Sequence, residues 1–341
     1  MKIVAMDAGP SRFILAEGIA SGKEVQLRKL LSVDIPTGSI ADGIISDLAS
    51  VRSALGVTLK ANAIRTKPFV VAVNSNAMIM RRLEVPMTSD RNMLNLVTME
   101  MQQNLPTGKR YTVDYIRVGE STSASGAKMC TVKAIALPAE LCEGYFKLLQ
   151  ELGLRAHQLD VHQQVLARLF SKGTHINGRD IGNGAVIAVD MANFQTTLYV
   201  VLGGEVDLTR SMPVGSANME RLVADRMQGS PEEARNYIRN TMDIHKEQSD
   251  AAEALRRFYI QIIQEVRKVQ QYIRTKNSME TAKIYLYGIG SGLMGLDGYF
   301  AENLDAEVES VKSHSRIKMP PEDRVSQLSH YLNAAGALLK A

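Results

Sequence analysis

The sequence lacks the residues that mark several classes of protein. It contains no tryptophan, only 5% aromatic residues and two cysteines among its 341 residues. So few aromatic side chains argue against a base-stacking surface for nucleic acid, and a formal net charge of +4 is too small to indicate nucleic-acid binding. Two cysteines, Cys130 and Cys142, cannot build a disulfide framework or a four-cysteine metal site.

Long hydrophobic runs are absent as well. No apolar segment of the sequence approaches the roughly 20 residues that a membrane-spanning helix requires. Residues 3–6 are apolar, but this run is too short for a signal sequence and ends at Asp7. Since 45% of the residues are hydrophobic, the chain can still bury sizeable cores. We therefore expect a cytoplasmic protein of two or more lobes that does not insert into a membrane.

A predicted strand that ends in an acid and a turn occurs twice. Residues 2–6 form an apolar run before Asp7, and a second apolar run follows at residues 13–16. Residues 185–189 end at Asp190 in the same way. The repeat predicts two related lobes. Two such turns that face each other across a cleft can offer N–H groups to a polyphosphate while the two acids bind Mg²⁺.

A glycine-rich loop at residues 288–292 follows a predicted strand and precedes a predicted helix. It fails the dinucleotide-binding fingerprint because position 293 is leucine and because a long predicted helix comes before its strand. At a helix N-terminus, however, such a loop suits the nucleoside end or the α-phosphate of a nucleotide. P-loop, nucleophile-elbow and zinc-ligand patterns are missing from the sequence, so those chemistries have no support.

The remaining segments predict helices around these strands. Residues 83–155 have the pattern helix, strand, strand, helix, which indicates an inserted small subdomain. A helix is predicted from about residue 47 to residue 55, ended by Gly56. Residues 215–280 are predicted to be helical, with a helix start at Ser230 and a buried stripe of six apolar residues: Leu255, Tyr259, Ile262, Val266, Val269 and Ile273.

Short motifs in a fixed order extend over nearly the whole chain. They are Asp7-Ala-Gly9, Asp42-Gly-Ile-Ile-Ser-Asp47, Leu83-Glu-Val-Pro86, Met99-Glu-Met-Gln-Gln-Asn-Leu105-Pro106, Leu148-Leu-Gln-Glu-Leu-Gly153, Arg210-Ser-Met-Pro213 and Ile284-Tyr-Leu-Tyr-Gly288. Each motif alone is weakly specific. Their order and spacing resemble the PilM family of type IV pilus assembly proteins, which belongs to the actin-like superfamily and is related to FtsA.

The resemblance implies an α/β fold, a bilobed actin-like (ribonuclease-H-like) fold with an inserted small α+β subdomain. It assigns the chain to four subdomains: residues 1–82, 156–180 and 315–341 to subdomain 1A, residues 83–155 to the inserted subdomain 1C, residues 181–216 and 281–314 to subdomain 2A, and residues 217–280 to the helical subdomain 2B.

The resemblance also implies a nucleotide site. It assigns Asp7 and Asp190 to Mg²⁺ and His162 or Gln163 to the attacking water. The residues that it assigns to the nucleotide phosphates are Gly9, Ser11, Arg12, Thr196, Gly288, Gly290 and Ser291. Glu265 and Lys268 match adenosine-facing positions, although a solvated helix face explains them equally well.

Three departures from the family pattern weaken the expected ATP binding. Pro10 has no N–H to offer a phosphate, Ala192 replaces a glycine, and Ile289 replaces a second glycine and crowds the ligand. The loss of two hydrogen bonds to charged groups, about 1.5–3 kcal/mol each, weakens binding roughly 10²–10⁴-fold. Arg12 supplies part of the lost charge. We expect ATP with Mg²⁺ to bind weakly or not at all, with little hydrolysis.

The resemblance further implies a partner. PilM-like proteins capture the cytoplasmic N-terminal tail of the inner-membrane protein PilN in a groove near the inserted subdomain, so a PilN-like tail and other pilus platform proteins are the expected partners. The expected location is the cytoplasmic side of the inner membrane. Met99 and Met101 are candidates for an apolar groove lining, the alternative being flexible core filling. Self-assembly into a ring or dimer stays open, and so does the type of pilus or secretion system.

Two other functions remain open beside this scaffold. One is an active actin-like ATPase that drives assembly, and the other is an FtsA-like filament. FtsA-like proteins end in an amphipathic membrane helix, whereas this sequence ends at Ala341 after a small-residue helix. We therefore expect the scaffold rather than the filament.

Overall fold

The computed structural model describes residues 1–123, 126–277, 281–320 and 328–339. Its strands are β1 (Lys2–Ala8), β2 (Arg12–Ser21), β3 (Glu24–Asp34), β4 (Ile40–Ala41), β5 (Ile44–Ile45), β6 (Pro68–Val73), β7 (Ile79–Pro86), β8 (Tyr111–Thr122), β9 (Lys128–Pro138), β10 (Arg155–Val161), β11 (His175–Ile176), β12 (Arg179–Asp180), β13 (Ala185–Met191), β14 (Thr196–Leu202), β15 (Glu205–Met212), β16 (Thr281–Tyr287), β17 (Val308–Ser310) and β18 (Ile317–Lys318). The α-helices are α1 (Leu48–Ala61), α2 (Asp90–Gln102), α3 (Ala139–Glu151), α4 (His162–Leu169), α5 (Ser216–Met227), α6 (Pro231–Asn240), α7 (Asp250–Asn277), α8 (Leu296–Leu304) and α9 (Leu328–Ala337).

Two sheets of matching topology form the two lobes. The first has the strand order β10-β6-β1-β2-β3-β18, and the second has the order β15-β14-β13-β16-β17. In each sheet three consecutive antiparallel strands are followed by parallel ones, β6 beside β1 and β16 beside β13. The predicted repeat is therefore confirmed at the level of sheet topology, and the carboxyl ends of β1 and β13 occupy equivalent places.

Helices α4 and α9 lie between the two sheets. A buried cluster joins Leu166 of α4 and Leu332 of α9 to Ala5 of the first sheet and to Tyr199 and Tyr285 of the second. Because this apolar cluster is continuous from one lobe to the other, its burial holds the lobes together without a ligand.

The inserted subdomain has its own small core. Its sheet has the order β7-β9-β8, and α2 covers one face through Met93, Val97 and Met101. Helix α3 instead contributes Leu141 and Leu148 to the core of the first lobe. We therefore propose residues 79–138 as the extent of the insert, a shorter segment than the sequence suggested.

Local signals explain most helix limits. Ser230 and Glu233 form a reciprocal capping box at the start of α6, and all six residues of the predicted stripe on α7 are buried. The predicted end of α1 at Gly56 is wrong, because α1 continues to Ala61. Gly56 lies inside the helix, where an added Cβ would lie 3.1 Å from Leu152, so a small residue lets α3 and its following turn approach closely.

In the parts of the chain that are described, no helix combines the length and the apolar character needed to cross a membrane.

Candidate functional site: an interlobe cleft and a groove beside it

A cavity of about 520 Å³ lies between the two lobes. The β1–β2 and β13–β14 hairpins line two of its sides, and the loop after β16 and the first turn of α9 line the others. Seven of the residues predicted to bind Mg²⁺ or nucleotide or to position water line this cleft: Asp7, Gly9, Ser11, Arg12, His162, Asp190 and Gly288.

The two hairpins that meet at the cleft have the same backbone geometry. The Gly9 N–H donates to the Arg12 carbonyl at 3.1 Å, and the Ala192 N–H donates to the Gln195 carbonyl at 3.0 Å. Each carboxylate stands two residues before this bond, so Asp7 and Asp190 occupy equivalent positions. The sequence repeat thus produces a pair of acid-bearing hairpins that approach each other.

A direct hydrogen bond ties the two hairpin tips together. The Asn193 side-chain amide donates to Ser11 Oγ at 2.7 Å, and its carbonyl oxygen accepts from Ser216 Oγ at 3.0 Å. Since Ser11 belongs to the first lobe and Asn193 to the second, this contact bridges the lobes at the place where a polyphosphate was expected to enter.

Asp7 has a histidine as its partner. His162 is the first residue of α4, and its Nε2 donates to Asp7 Oδ1 at 2.8 Å, while its Nδ1 lies 3.4 Å from the Tyr199 hydroxyl. Burial lowers the pKa of the His162 imidazole, but the neighbouring carboxylates, chiefly that of Asp7, together outweigh burial, so the pKa is raised above its ordinary value. A short hydrogen bond thus joins the first residue of α4 to the acid at the end of β1.

Asp190 is fully enclosed and also has a protein partner. The Asn333 side-chain amide donates to Asp190 Oδ2 at 2.9 Å from α9. Burial raises the pKa of the Asp190 carboxyl to about 6, although the nearby His162 acts in the opposite direction. The two equivalent acids therefore differ: Asp7 is hydrogen-bonded to an imidazole, and Asp190 to a side-chain amide.

These contacts leave a poor site for Mg²⁺. Magnesium beside a nucleotide takes one or two carboxylates and completes its octahedral shell with water and phosphate oxygens. Here one oxygen of Asp7 already accepts from His162, and one oxygen of Asp190 already accepts from Asn333. A divalent ion that uses these oxygens would have to displace the protein's own donors.

The cleft also has a basic side. Arg12 makes a two-contact ion pair with Asp34 at 2.7–2.8 Å, and Arg235 does the same with Glu220 at 2.8–3.0 Å. Arg239 lines the cavity one helical turn after Arg235. Burial and the Arg235 guanidinium lower the pKa of Arg239, which indicates that like charges are crowded here.

Other predicted site residues lie outside the cleft lining. Thr196 is buried and donates to the Val214 carbonyl at 2.7 Å, and Ser291 donates to the Gly288 carbonyl at 2.8 Å. Gly290 lines only a minor crevice behind this turn. These three residues hold the backbone around the cleft rather than face a ligand in it.

The predicted adenosine-facing pair is also distant from the cavity. Glu265 forms ion pairs with Arg210 of β15 at 2.6 Å and with Lys268 at 2.5 Å. Both predicted residues therefore lie where α7 packs against β15, and the geometry gives no support to contact with adenosine.

Met99 and Met101 point to opposite sides of α2. Met101 is fully buried in the core of the insert, whereas Met99 is 63% exposed. The structure therefore does not bring these two methionines together in one groove.

A groove of about 900 Å³ lies between the insert and the second lobe. Met78 and Met80 line it on the insert side, and alternate residues of β15 line it on the other. The insert and the second lobe meet at Glu205, which lies 3.8 Å from Arg82 and 3.5 Å from Lys133. Strands β7 and β15 are edge strands of their sheets, so each has backbone groups available for another strand.

The cleft and the groove are neighbours at the start of α4. His162 lines the cleft, and the adjacent Gln163 lines the groove. Gln163 is buried, and its Oε1 has no hydrogen-bond partner within the described residues. Asn74, which follows β6, lines both spaces.

Sequence reasoning missed several cleft residues. They are Asn193, Arg235, Arg239, His330 and Asn333. The four-residue spacing of Arg235 and Arg239 puts them on one face of a helix, and this was the one available signal for the basic side of the cleft.

Solved structures with the same fold clarify the class of protein. The chain is similar to PilM in a PilM–PilN type IV pilus biogenesis complex, with a TM-score of 0.75, 20% identity and coverage of 99% of this chain and 98% of that one. It is also similar to the ethanolamine utilization protein EutJ from Carboxydothermus hydrogenoformans, with a TM-score of 0.57, 16% identity and coverage of 99% and 89%. MreB5 of Spiroplasma citri bound to AMPPNP gives a TM-score of 0.52, 11% identity and coverage of 98% and 94%.

The paired hairpin sheets and the cleft between them define a protein of the actin-like ATPase fold, as the sequence predicted. The family of the type IV pilus assembly protein PilM matches residues 6–340. The chain therefore belongs to the PilM family, which confirms the resemblance found in its motifs.

Proposed function

We propose that this chain is a cytoplasmic scaffold of a type IV pilus or related secretion platform, located at the inner face of the cytoplasmic membrane. In this role it binds the cytoplasmic N-terminal tail of a PilN-like membrane protein, and other platform proteins assemble on it. ATP binds weakly, and hydrolysis contributes little.

The groove between the insert and the second lobe is the observation that carries this proposal. An extended peptide can add to an exposed sheet edge through main-chain hydrogen bonds, and the groove has edge strands β7 and β15 on its two sides. Met78 and Met80 offer adaptable apolar contacts. The chain's membership of the PilM family, and the presence of PilN in the solved complex of a similar chain, support this occupant.

The cleft supports the second part of the proposal. Pro10 lines the cavity and has no N–H to donate. Ile289 lines it where the family pattern has glycine, and Arg12 is already paired with Asp34. Asn193 and Ser11 close the gap between the hairpin tips. Each contact removes a donor or a space that a tightly bound nucleotide requires.

A peptide titration tests the groove. A fluorescent peptide with the tail sequence of the PilN-like protein from the same organism is titrated with the chain, and binding is measured by anisotropy. Met80→Asp places a charge in the groove and is expected to weaken binding at least about tenfold. Met99→Asp adds the same charge on the exposed face of α2 and is the matched control.

The outcomes separate the alternatives. Loss of binding in Met80→Asp alone supports the groove. Equal binding by both variants, or loss in Met99→Asp alone, contradicts it, and no binding by the unaltered chain removes the tail-binding role itself.

A further inference from the structure

The connection between β6 and β7 forms one corner of the groove. It leads from the first sheet into the insert, and four of its residues line the groove together with Met80 of β7: Asn74, Ser75, Asn76 and Met78. A shift of this connection therefore moves the start of β7, which is the strand edge that the peptide is proposed to meet.

One carboxylate holds this connection from outside it. Asp42 Oδ1 accepts from the Asn76 backbone N–H at 2.7 Å and from the Asn76 side-chain amide at 3.1 Å, and Asp42 Oδ2 accepts from Ser75 Oγ at 3.2 Å. Ser75 Oγ in turn accepts from the Ala77 N–H at 3.1 Å. Since hydrogen bonds to a carboxylate are stronger than those between neutral groups, Asp42 fixes two consecutive residues of the connection directly and the next one through Ser75.

Asp42 itself stands in a tight turn of the first lobe. Asp42 and Gly43 are the two residues between the paired strands β4 and β5, and both have positive φ angles, 47° and 81°. An Asp-Gly turn of this kind matches the twist of a two-stranded hairpin. A Cβ at Gly43 would lie 2.9 Å from Leu141 Cδ1 and 3.3 Å from the Asn74 carbonyl oxygen, so the turn packs directly against the start of the connection.

We propose that Asp42 is a positioning residue for peptide capture, which holds the β6–β7 connection, and with it the insert side of the groove, in the orientation that accepts the tail. This inference rests on the proposed function of the groove. Asp42 is not among the residues that line the groove, so it acts on the peptide through Ser75 and Asn76.

The expected size of the effect follows from the hydrogen bonds. Without the carboxylate the connection can leave its orientation, and the apparent dissociation constant rises by the inverse of the fraction of molecules that keep it. The loss of one hydrogen bond to a charged group corresponds to roughly a tenfold change in such an equilibrium.

Two variants of Asp42 test the proposal in the anisotropy titration with the tail peptide. Asp42→Gly removes the carboxylate without adding backbone strain, because glycine adopts a positive φ freely, and it is expected to weaken tail binding about tenfold. Asp42→Asn keeps one oxygen that can accept from the Asn76 N–H, and asparagine tolerates the left-handed region. It is therefore expected to restore part of the affinity.

Asp47→Ala is the matched control. Asp47 lies in the same segment and caps α1, where its Oδ1 accepts from the Ser50 N–H at 3.0 Å. Loss of this cap lowers the melting temperature but removes no bond to the β6–β7 connection, so the affinity for the tail is expected to stay unchanged. An equal loss of affinity in Asp42→Gly and Asp47→Ala would assign the effect to stability and overturn the proposal.

The binding rates separate positioning from direct contact. Stopped-flow measurements with the labelled tail are expected to show slower association by Asp42→Gly and nearly unchanged dissociation, because fewer molecules are competent to bind. Met80→Asp alters the groove lining itself and is expected to speed dissociation instead. Faster dissociation with unchanged association in Asp42→Gly, or an affinity equal to that of the unaltered chain, contradicts the positioning role.

Hydrogen exchange on the free chain makes part of the test independent of the tail. The amides of residues 74–80 are expected to exchange faster in Asp42→Gly and to keep their protection in Asp47→Ala. If the unaltered chain binds no tail, the proposed function fails, and the exchange result alone decides whether Asp42 holds the connection. Unchanged protection of residues 74–80 in Asp42→Gly overturns the inference whether or not the tail binds.

Discussion

The cleft and the groove lie on either side of the first turn of α4, yet they differ in how their polar groups are satisfied. In the cleft, Asp7 and Asp190 have partners from within the protein, and Asn193 bonds to Ser11 across the gap. The groove instead has residues of two edge strands, β7 and β15, in its lining.

This difference indicates which of the two spaces would gain more from binding a ligand. A site whose groups are already hydrogen-bonded gains little from a ligand that must displace them, whereas an unpaired strand edge gains a full set of main-chain hydrogen bonds. Under the proposed function, the cleft is chiefly a structural joint and the groove is the binding surface for the peptide.

The largest expected effect separates the two methionines that were predicted to line a groove. Met101→Ala leaves a cavity in the core of the insert and is expected to lower the free energy of unfolding by about 2–5 kcal/mol. Met99→Ala alters an exposed side chain and is expected to change the free energy of unfolding by less than about 0.5 kcal/mol. Urea denaturation measures both, and similar losses in the two variants would contradict the packing of α2.

The pH dependence of stability tests whether the pKa of Asp190 in the cleft is raised. With its pKa raised from 3.8 to about 6, the Asp190 carboxyl stabilises the fold fully below about pH 4, and this contribution is lost as the pH rises through 6. Asp190→Asn mimics the neutral acid and is expected to stabilise the chain at pH 8 by about 3 kcal/mol.

The gain in Asp190→Asn should shrink as the pH falls from 6 towards 4, because the unaltered carboxyl becomes neutral. Asp225→Asn, on the exposed surface of α5, is the matched control and should show no such trend. Denaturation curves across this range measure the difference, and a constant offset between Asp190→Asn and the unaltered chain would contradict a raised pKa.

A smaller effect is expected at the hairpin tips. Asn193→Ala removes the hydrogen bonds to Ser11 and Ser216 and is expected to lower the free energy of unfolding by about 1–2 kcal/mol. Small-angle scattering should also show a larger radius of gyration if this bridge holds the lobes together. Unchanged stability and dimensions would mean that the apolar cluster around α4 and α9 suffices.

The smallest effect is expected at the predicted adenosine-facing pair. Lys268→Ala removes an exposed ion pair with Glu265 and is expected to change stability by less than about 1 kcal/mol. Calorimetry should show no change in ATP binding, and a clear loss of ATP affinity would support the sequence-based assignment of Lys268 to an adenosine-facing position.

Periodic and local patterns in the sequence predicted much of the fold. The acid-bearing hairpins, the capping box at Ser230 and the apolar stripe of α7 are fixed by nearby residues, and the sequence predicted them correctly. Strand β7 was not predicted, because half of its residues are polar or exposed and its partner β9 lies far along the chain. The position of α3 against the first lobe depends on tertiary packing, which the helical pattern does not specify.

The candidate site could be predicted only in part. Asp7 and Asp190 stand at strand ends, where the topology itself brings them together. The partners of these acids come from α4 and α9, and nothing near His162 or Asn333 in the sequence indicates which carboxylate each one meets. Arg239 lines the cleft because α6 packs against α5, and its own segment does not indicate this position.

Anomalous scattering from crystals grown with Mn²⁺ and ATP tests the central claim most directly, since Mn²⁺ takes the oxygen ligands that Mg²⁺ prefers. The account predicts an intact hydrogen bond between His162 and Asp7 and no manganese peak at Asp7 or Asp190. A manganese ion coordinated by Asp7, with His162 turned away, would contradict it.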